Sequence, residues 1–463
     1  MSREKELVKN ILVLGLGKML PKLTAFVTLP ILTAKLTKIE YGTYDLISTL
    51  IMLVIPIATL QIQSAAFRFL IDCRGNKKST ASIITNIFAV TVPITVLVSL
   101  LIQFFFIDFS IIIRGLISIY FFIDTFYLTC GQIVRGIGKN KEYSIAAIAV
   151  SVINMLCVFL LVQIKEQGIL GVFIALILAN IVGSIYLSIV AQIQNYINHS
   201  FFSLVKIREL LSYSWPMIPN NLSTWVLKLS DRIVITFFLG VEANAVYAVA
   251  NKVPNLLSMA QSVMVMAWHE NASTVVNDND ADKYYSYMQE KMFKLMFSCT
   301  ALLISMTPII FNILIKGEYS EAYCQMPILI LAMFFYVMSS FFGGIYIAHK
   351  KTKNVGISTI IAAIINFVID ICLVNLIGIW AGSVSTLIAY MTLYYYRMFN
   401  CQKFQKLEIN LFKQIIMIGV LTVMLVMCFM QEMFLNIINL ILGMVIFIVF
   451  NWEFIKKLFY KLK

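Results

Sequence analysis

Residues 168–190 read GILGVFIALILANIVGSIYLSIV, 23 residues without a single charge. At 1.5 Å per residue a helix of that length spans roughly 35 Å, enough to cross the hydrocarbon core of a bilayer. Working outward, similar runs recur along the whole chain of 463 residues, of which 60% are hydrophobic and only 13% charged, with a mean hydropathy of +0.88. A soluble domain cannot hide that much apolar surface, because burial saturates as domains grow. Alternating segments of about ten residues, the mark of a membrane barrel, are missing from the sequence. The expected fold class is therefore all-α and polytopic, with about fourteen transmembrane helices. The first run covers residues 10–34 and the last 433–450. Three others, 43–71, 210–239 and 245–268, are each read as one continuous helix. The first run follows Arg3, Lys5 and Lys9 like a signal peptide, but it is long and has no small-residue cleavage site, so it reads as a retained helix.

The connections set the orientation. Taken alternately, one set of tails and loops carries 25 Lys and Arg, with Arg397 counted in the loop after the twelfth run. The other set carries only Lys35, Lys38, Lys165 and Lys316. The positive-inside rule then places both termini in the cytoplasm. The same asymmetry accounts for the net charge of +13, so no nucleic-acid partner is expected. All outward connections are short, which leaves no room for a soluble catalytic domain, and the chain is not expected to be an enzyme. The eight cysteines form no CxxC pair and the three histidines no cluster, so neither disulfides, metal nor cofactor is expected. The many Phe and Tyr residues read as lipid-facing bulk and interfacial anchors.

An internal repeat is visible. Lys139, Lys141 and Asn154 recur at Lys351, Lys353 and Asn366 with one offset of 212 residues. Leu170-Gly171 is echoed by Ala381-Gly382, and Pro21 and Pro30 in the first run by Pro216 and Pro219 in the seventh. The expected division is a first lobe over residues 1–205, a second over 206–400, and two extra helices with a basic tail over 401–463.

Some charges fall inside the apolar runs, where each costs about 2.5–3.5 kcal/mol at a helix centre. Arg68 and Asp45 lie near run ends and can snorkel. Lys18 and Lys22 share one face of the first helix one turn apart, with no acid at i±3 or i±4, an arrangement suited to an anion in a wet cavity. Acids on other helices, such as Asp124, could instead neutralise them. In the seventh run Lys228, Asp231 and Arg232 share a face, and an ion pair of Asp231 with Lys228 competes with a binding role. Lys252 and Arg114 complete the candidate anion-binding set. Asp124, Asp231 and Asp370 are the acids well inside helices, so a proton or sodium site for coupling would use one of them. Prolines in corresponding helices of two repeats also point to a transport site.

Residues 28–46, TLPILTAKLTKIEYGTYDL, and 214–240, SWPMIPNNLSTWVLKLSDRIVITFFLG, followed by AVYAVANKV at 245–253, carry a resemblance to a known family. The chain resembles the polysaccharide repeat-unit flippases, the Wzx-type O-antigen and capsule exporters of the multidrug/oligosaccharidyl-lipid/polysaccharide exporter superfamily. The resemblance implies two six-helix lobes around a central cationic cavity that works by alternating access, the MATE-like fold. It implies a cargo of oligosaccharide on polyprenyl pyrophosphate, contact with membrane lipid, and a polysaccharide polymerase and chain-length regulator as partners. Drug exporters of the superfamily often carry an acid in the first helix, where this chain has Lys18 and Lys22. The rival readings are a flippase of another lipid-linked precursor, a drug or cation exporter of the same fold, and a membrane glycan polymerase.

Overall fold

In the computed structural model the charge-free run from Gly168 becomes one helix, α7 (Gly168–Ala191). The model describes residues 20–462 apart from Lys22 and Asn277. Within these limits the chain before α7 forms α1 (Leu23–Lys35), α2 (Lys38–Ala58), α3 (Ile62–Asp72), α4 (Lys77–Phe105), α5 (Ile111–Gly136) and α6 (Asn140–Val158). After it come α8 (Leu204–Ser214), α9 (Ile218–Leu239), α10 (Val241–Ala250), α11 (Asn255–Val275) and α12 (Ala281–Leu314). The chain ends with α13 (Ala322–Ala348), α14 (Thr352–Ile377), α15 (Trp380–Cys401), α16 (Leu411–Phe429) and α17 (Met433–Leu462). Among the described residues, ten helices are long and apolar enough to cross a membrane. Two that fall short do so through composition. α9 carries three charges, Lys228, Asp231 and Arg232, and α15 is rich in Ser, Thr and Tyr.

Three of the expected helices are broken. The 43–71 run splits between α2 and α3, where Leu60 and Gln61 both take positive φ. Pro56 stands four residues ahead of the break, and its carbonyl accepts the Gln61 N–H at 3.2 Å. The 210–239 run splits into α8, a short 3₁₀ turn (Trp215–Met217) and α9, because Pro216 and Pro219 lack the N–H groups that would carry the ladder through. The 245–268 run splits between α10 and α11, just before Asn255, with Pro254 at the N-cap of α11.

The chain divides into two compact units, residues 1–222 and 223–463. In the first, α2, α4, α5 and α7 share a core of Ile47, Ile51, Phe121 and Phe173. Around a second cluster, α3 meets α5 closely because Gly136 lies against Leu70, where a Cβ would come within 2.8 Å of the leucine Cβ. Small residues let membrane helices approach in this way, and van der Waals contact is what holds them.

In the second unit α13 is the central helix, packed by α11, α12 and α15. Phe334, Phe335, Phe341, Phe342, Tyr346 and Tyr394 are fully buried there. The expectation that the aromatics face lipid fails for this helix, since α13 is enclosed by protein on nearly every side. Trp268 of α11 stacks on Phe341 at 4.3 Å between centroids and donates Nε1–H to the Phe341 carbonyl at 2.8 Å. Gly344 makes room for that indole, as a Cβ would lie 2.5 Å from its ring. α16 and α17 pack on α12 within the same unit.

The repeat is visible in local conformation. Lys139 precedes α6 with φ −89° and ψ 56°, and Lys351 precedes α14 with φ −95° and ψ 46°. Each donates its backbone N–H to the carbonyl five residues earlier, Val134 and Tyr346 respectively. Two loops 212 residues apart thus share one local turn, a helix-ending form that also occurs at Leu60-Gln61, where Gln61 donates to the Pro56 carbonyl.

Candidate functional site

Four helices of the second unit bring a polar cluster together inside apolar surroundings. α9 supplies Ser230 and Asp231. α14 supplies Asn366 and Asp370, which share a face because they stand four residues apart. α15 supplies Gly382 and Thr386 at the same spacing, and α10 supplies Tyr247. Asp231, Asn366 and Asp370 are each 2% exposed or less. The Tyr247 hydroxyl donates to Asp231 Oδ2 at 2.6 Å and the Thr386 hydroxyl to the same oxygen at 2.7 Å. Ser230 Oγ lies 3.2 Å from Asn366 Oδ1, and Asn366 Nδ2 lies 3.4 Å from both Ser385 Oγ and Thr386 Oγ1. Gly382 is needed for this geometry. A Cβ there would come within 2.9 Å of the Tyr247 ring, whose hydroxyl lies 3.3 Å from the Gly382 carbonyl.

The cluster is incomplete. Asp231 Oδ1 and both carboxyl oxygens of Asp370 are buried without a hydrogen-bond partner among the described residues. A buried polar atom without a partner costs about 1–3 kcal/mol, and more if charged. Asp370 stands one turn along α14 from Asn366, which bonds to Ser230, the neighbour of Asp231 in α9. Two such acids are tolerated inside a membrane protein when a proton or a small cation neutralises them. The surrounding oxygens, from carboxyl, amide, carbonyl and hydroxyl groups, suit a hard cation.

The candidate cations distribute differently. The ion pair between Asp231 and Lys228 that their spacing allows does not form. Asp231 turns inward to hydroxyl donors, while Lys228 is exposed and holds its ammonium 4.7 Å above the centre of the Tyr336 ring. Arg232 and Lys252 are half-buried. Arg114, in the first unit, closes the α4–α5 hairpin by donating to the Gln103 carbonyl at 2.9 Å, and Gln103 donates back to the Arg114 carbonyl at 3.1 Å. Asp124 accepts from Asn180 at 3.0 Å. Lys18 and Lys22 lie outside the described residues. Arg68 pairs with Asp72 at 2.6 Å on an exposed face, the inexpensive arrangement expected near a helix end.

Arg397 is a correction. It lies in α15 and is 6% exposed, and the following loop begins only beyond it. Its guanidinium donates to Ser358 Oγ, Thr359 Oγ1 and the Ser339 and Val355 carbonyls, which ties α13, α14 and α15 together. Proximity to the run's end had placed it with the loop lysines.

Sequence reasoning found Asp231 and Asp370 because charge inside an apolar run is rare. It missed Tyr247 and Thr386, since tyrosine and threonine are ordinary in membrane helices. Asn366 and Gly382 stood out only as marks of the repeat.

The fold is that of transporters of the MOP superfamily. An inward-facing multidrug-resistance MATE transporter of that superfamily superposes with a TM-score of 0.68 at 15% identity, over 84% of this chain and 98% of its own. The lipid II flippase MurJ, in an inward closed conformation, superposes with a TM-score of 0.68 at 16% identity, over 97% of this chain and all of its own. A MOP transporter from Pyrococcus furiosus, whose binding pocket is described as having reverse polarity, matches with a TM-score of 0.57 at 14% identity, over 86% of this chain and 95% of its own. No curated protein matches the sequence. The family model for polysaccharide biosynthesis proteins matches residues 7–269, more than half of the chain, and the protein belongs to that family.

Proposed function

We propose that this protein flips an oligosaccharide repeat unit on polyprenyl pyrophosphate from the cytoplasmic to the outer leaflet of a bacterial inner membrane. It does so by alternating access, for a surface polysaccharide such as O-antigen or capsule, and without covalent chemistry. The family supplies the class of pathway, and a lipid II flippase of the same fold supports a lipid-linked cargo. The observation that carries a coupled transport step is the pair of buried acids, Asp231 and Asp370, with three oxygens unpartnered among the described residues.

In this reading the Asp231–Asp370 cluster takes up a proton or a sodium ion, and its filling and emptying bias the second unit between two packings. Asp124, with a single amide partner, is the weaker coupling candidate. Lys18, Lys22, Lys228, Arg232 and Lys252 are the proposed cationic partners of the pyrophosphate and of acidic sugars, while Arg114 is taken up by the α4–α5 hairpin. A unit-charge pair at 4 Å is worth about 4 kcal/mol at an effective dielectric near 20, before desolvation. A net 1.4 kcal/mol is tenfold in affinity. A polymerase and a chain-length regulator would act downstream.

The test combines surface glycan display with membrane protein level. Lys18→Ala and Lys22→Ala should lower display at near-normal protein level, and Lys→Arg should restore part of it. Full display from the double alanine variant would remove these lysines from the mechanism. Flipping of another lipid-linked precursor is the second reading, favoured by the likeness to the lipid II flippase. Complementation of the matching precursor defect separates the two.

A further inference from the structure

One end of the second unit is acidic. The α9–α10, α12–α13, α14–α15 and α16–α17 connections and their adjoining residues carry Glu242, Glu318, Glu321 and Glu432 against a single lysine, Lys316. The positive-inside rule assigns such an end to the outer face. A cavity of about 670 Å³ opens there, lined by Glu321, Cys324, Gln325, Trp380 and Gln431 among others. Its size is within the range of small-ligand sites.

The lining is mostly apolar and carries a few polar side chains, Glu321, Gln325 and Gln431 among them, and no cation. Gly378, at φ 58° and ψ −135°, makes the α14–α15 turn in a conformation that glycine adopts readily, and so seats Trp380 at the start of α15. Trp380 is 37% exposed, and an edge-to-face contact with Phe429 at 5.7 Å fixes its ring. Gln325 is 1% exposed, and Ser383 donates to its amide oxygen. Its amide nitrogen has no acceptor among the described residues. If the amide is turned the other way round, its oxygen is the atom left over, so one hydrogen-bonding atom remains for the cavity either way. Gln431 donates to Cys324 Sγ at 3.4 Å and keeps its carbonyl oxygen. Glu321 is exposed and pairs with no described base. An indole face beside carboxylate and amide groups suits a sugar ring, which offers C–H groups on one side and hydroxyls around its rim. The carboxylate and the lack of any lysine or arginine in the lining disfavour a phosphate or an acidic sugar.

We propose that this cavity is a subsite for an uncharged sugar residue of the cargo, with Trp380 as its stacking face and Glu321, Gln325 and Gln431 as partners of its hydroxyls. The inference rests on the glycan-flippase reading and adds a place where the emerging glycan is held at the outer face, apart from the anchor for its pyrophosphate.

The test uses purified full-length protein titrated with methyl glucoside, methyl galactoside, N-acetylglucosamine and glucuronate while indole fluorescence is followed. Trp380→Phe serves as the blank. At least one neutral sugar should give a saturable signal that the blank lacks, with glucuronate weakest. Glu321→Gln should bring glucuronate close to the neutral sugars. In cells, Trp380→Ala should lower surface glycan roughly three- to tenfold at unchanged membrane abundance, the factor one stacking contact supplies. If no sugar gives a Trp380-dependent signal, or if glucuronate binds more tightly than every neutral sugar, the subsite is refuted. Trp380-dependent sugar binding in a protein whose deletion leaves surface glycan intact would uphold the subsite and overturn glycan export.

Discussion

The two units use their polar groups differently. In the first, Asp124 has one amide partner, Arg114 is used in closing a hairpin, and Thr91, Thr95, Thr125 and Thr129 each donate to a carbonyl of their own helix. These groups bond locally, although Arg114 Nε is buried without a partner among the described residues and Asp45 is a further buried acid, at 3% exposure. In the second, residues from four helices converge on Asp231, and two acids are left with oxygens that nothing described satisfies. The difference teaches that one half of a membrane fold can gather polar groups from four helices around buried acids whose oxygens lack partners among the described residues. Such a cluster is costly unless something binds to it, so it marks where binding energy can be exchanged for conformational change.

The largest expected effect tests this contrast directly. Asp370→Asn and Asp231→Asn should each reduce surface glycan display tenfold or more, the scale of a charged contact worth about 1.5–3 kcal/mol. Asp124→Asn, which leaves a neutral amide pair, should change display less than about threefold. Quantifying glycan per unit of membrane protein reads both, and equal losses in the two units would erase the asymmetry.

Next come the glycines that admit close packing. Gly382→Ala would press its Cβ onto Ile235 and Tyr247, and Gly183→Ala would press onto Val150 and Tyr127. Both should destabilise by about 1–3 kcal/mol in a thermal-shift assay, the usual cost of overpacking. Only Gly382→Ala should also lower transport per folded molecule, because it moves the tyrosine that holds Asp231. Tyr247→Phe sharpens the point. It removes one of two donors to a buried carboxylate and should cost about 1–3 kcal/mol in stability, with a transport loss that exceeds the loss of protein.

The smallest effect concerns an exposed pair in the first unit. The Lys35 ammonium beside Glu166, at 2.5 Å, holds that carboxyl below its ordinary value. A depressed acid contributes stability above its unfolded pKa and loses it as pH falls through the folded one. Lys35→Ala should therefore melt slightly earlier than the parent at neutral pH and coincide with it in acid. A gap that persists or widens in acid would contradict the pairing.

Legibility in the sequence followed the same physics. The apolar runs named the membrane helices because length and hydropathy are the whole requirement for spanning. The breaks were legible only in part. Pro56, Pro216, Pro219 and Pro254 were visible as residues, but hydropathy ran straight through them, and Pro56 stands a full turn ahead of the break at Leu60-Gln61. Acids inside apolar runs exposed half of the cluster, since their cost demands a reason. Their neutral partners, Tyr247 and Thr386, cost little anywhere and became meaningful only when the fold brought them to Asp231. Arg397 was misplaced for a related reason, because a cation near the end of a run reads like a loop cation until its four acceptors are seen.

The most direct measurement reconstitutes the full-length protein in vesicles with a polyprenyl-pyrophosphate-linked oligosaccharide and follows its appearance in the opposite leaflet under imposed proton or sodium gradients. The account predicts that one of these gradients accelerates translocation by the native protein and that Asp370→Asn abolishes the acceleration. Translocation that ignores both gradients, or that proceeds undiminished in Asp370→Asn, would contradict it.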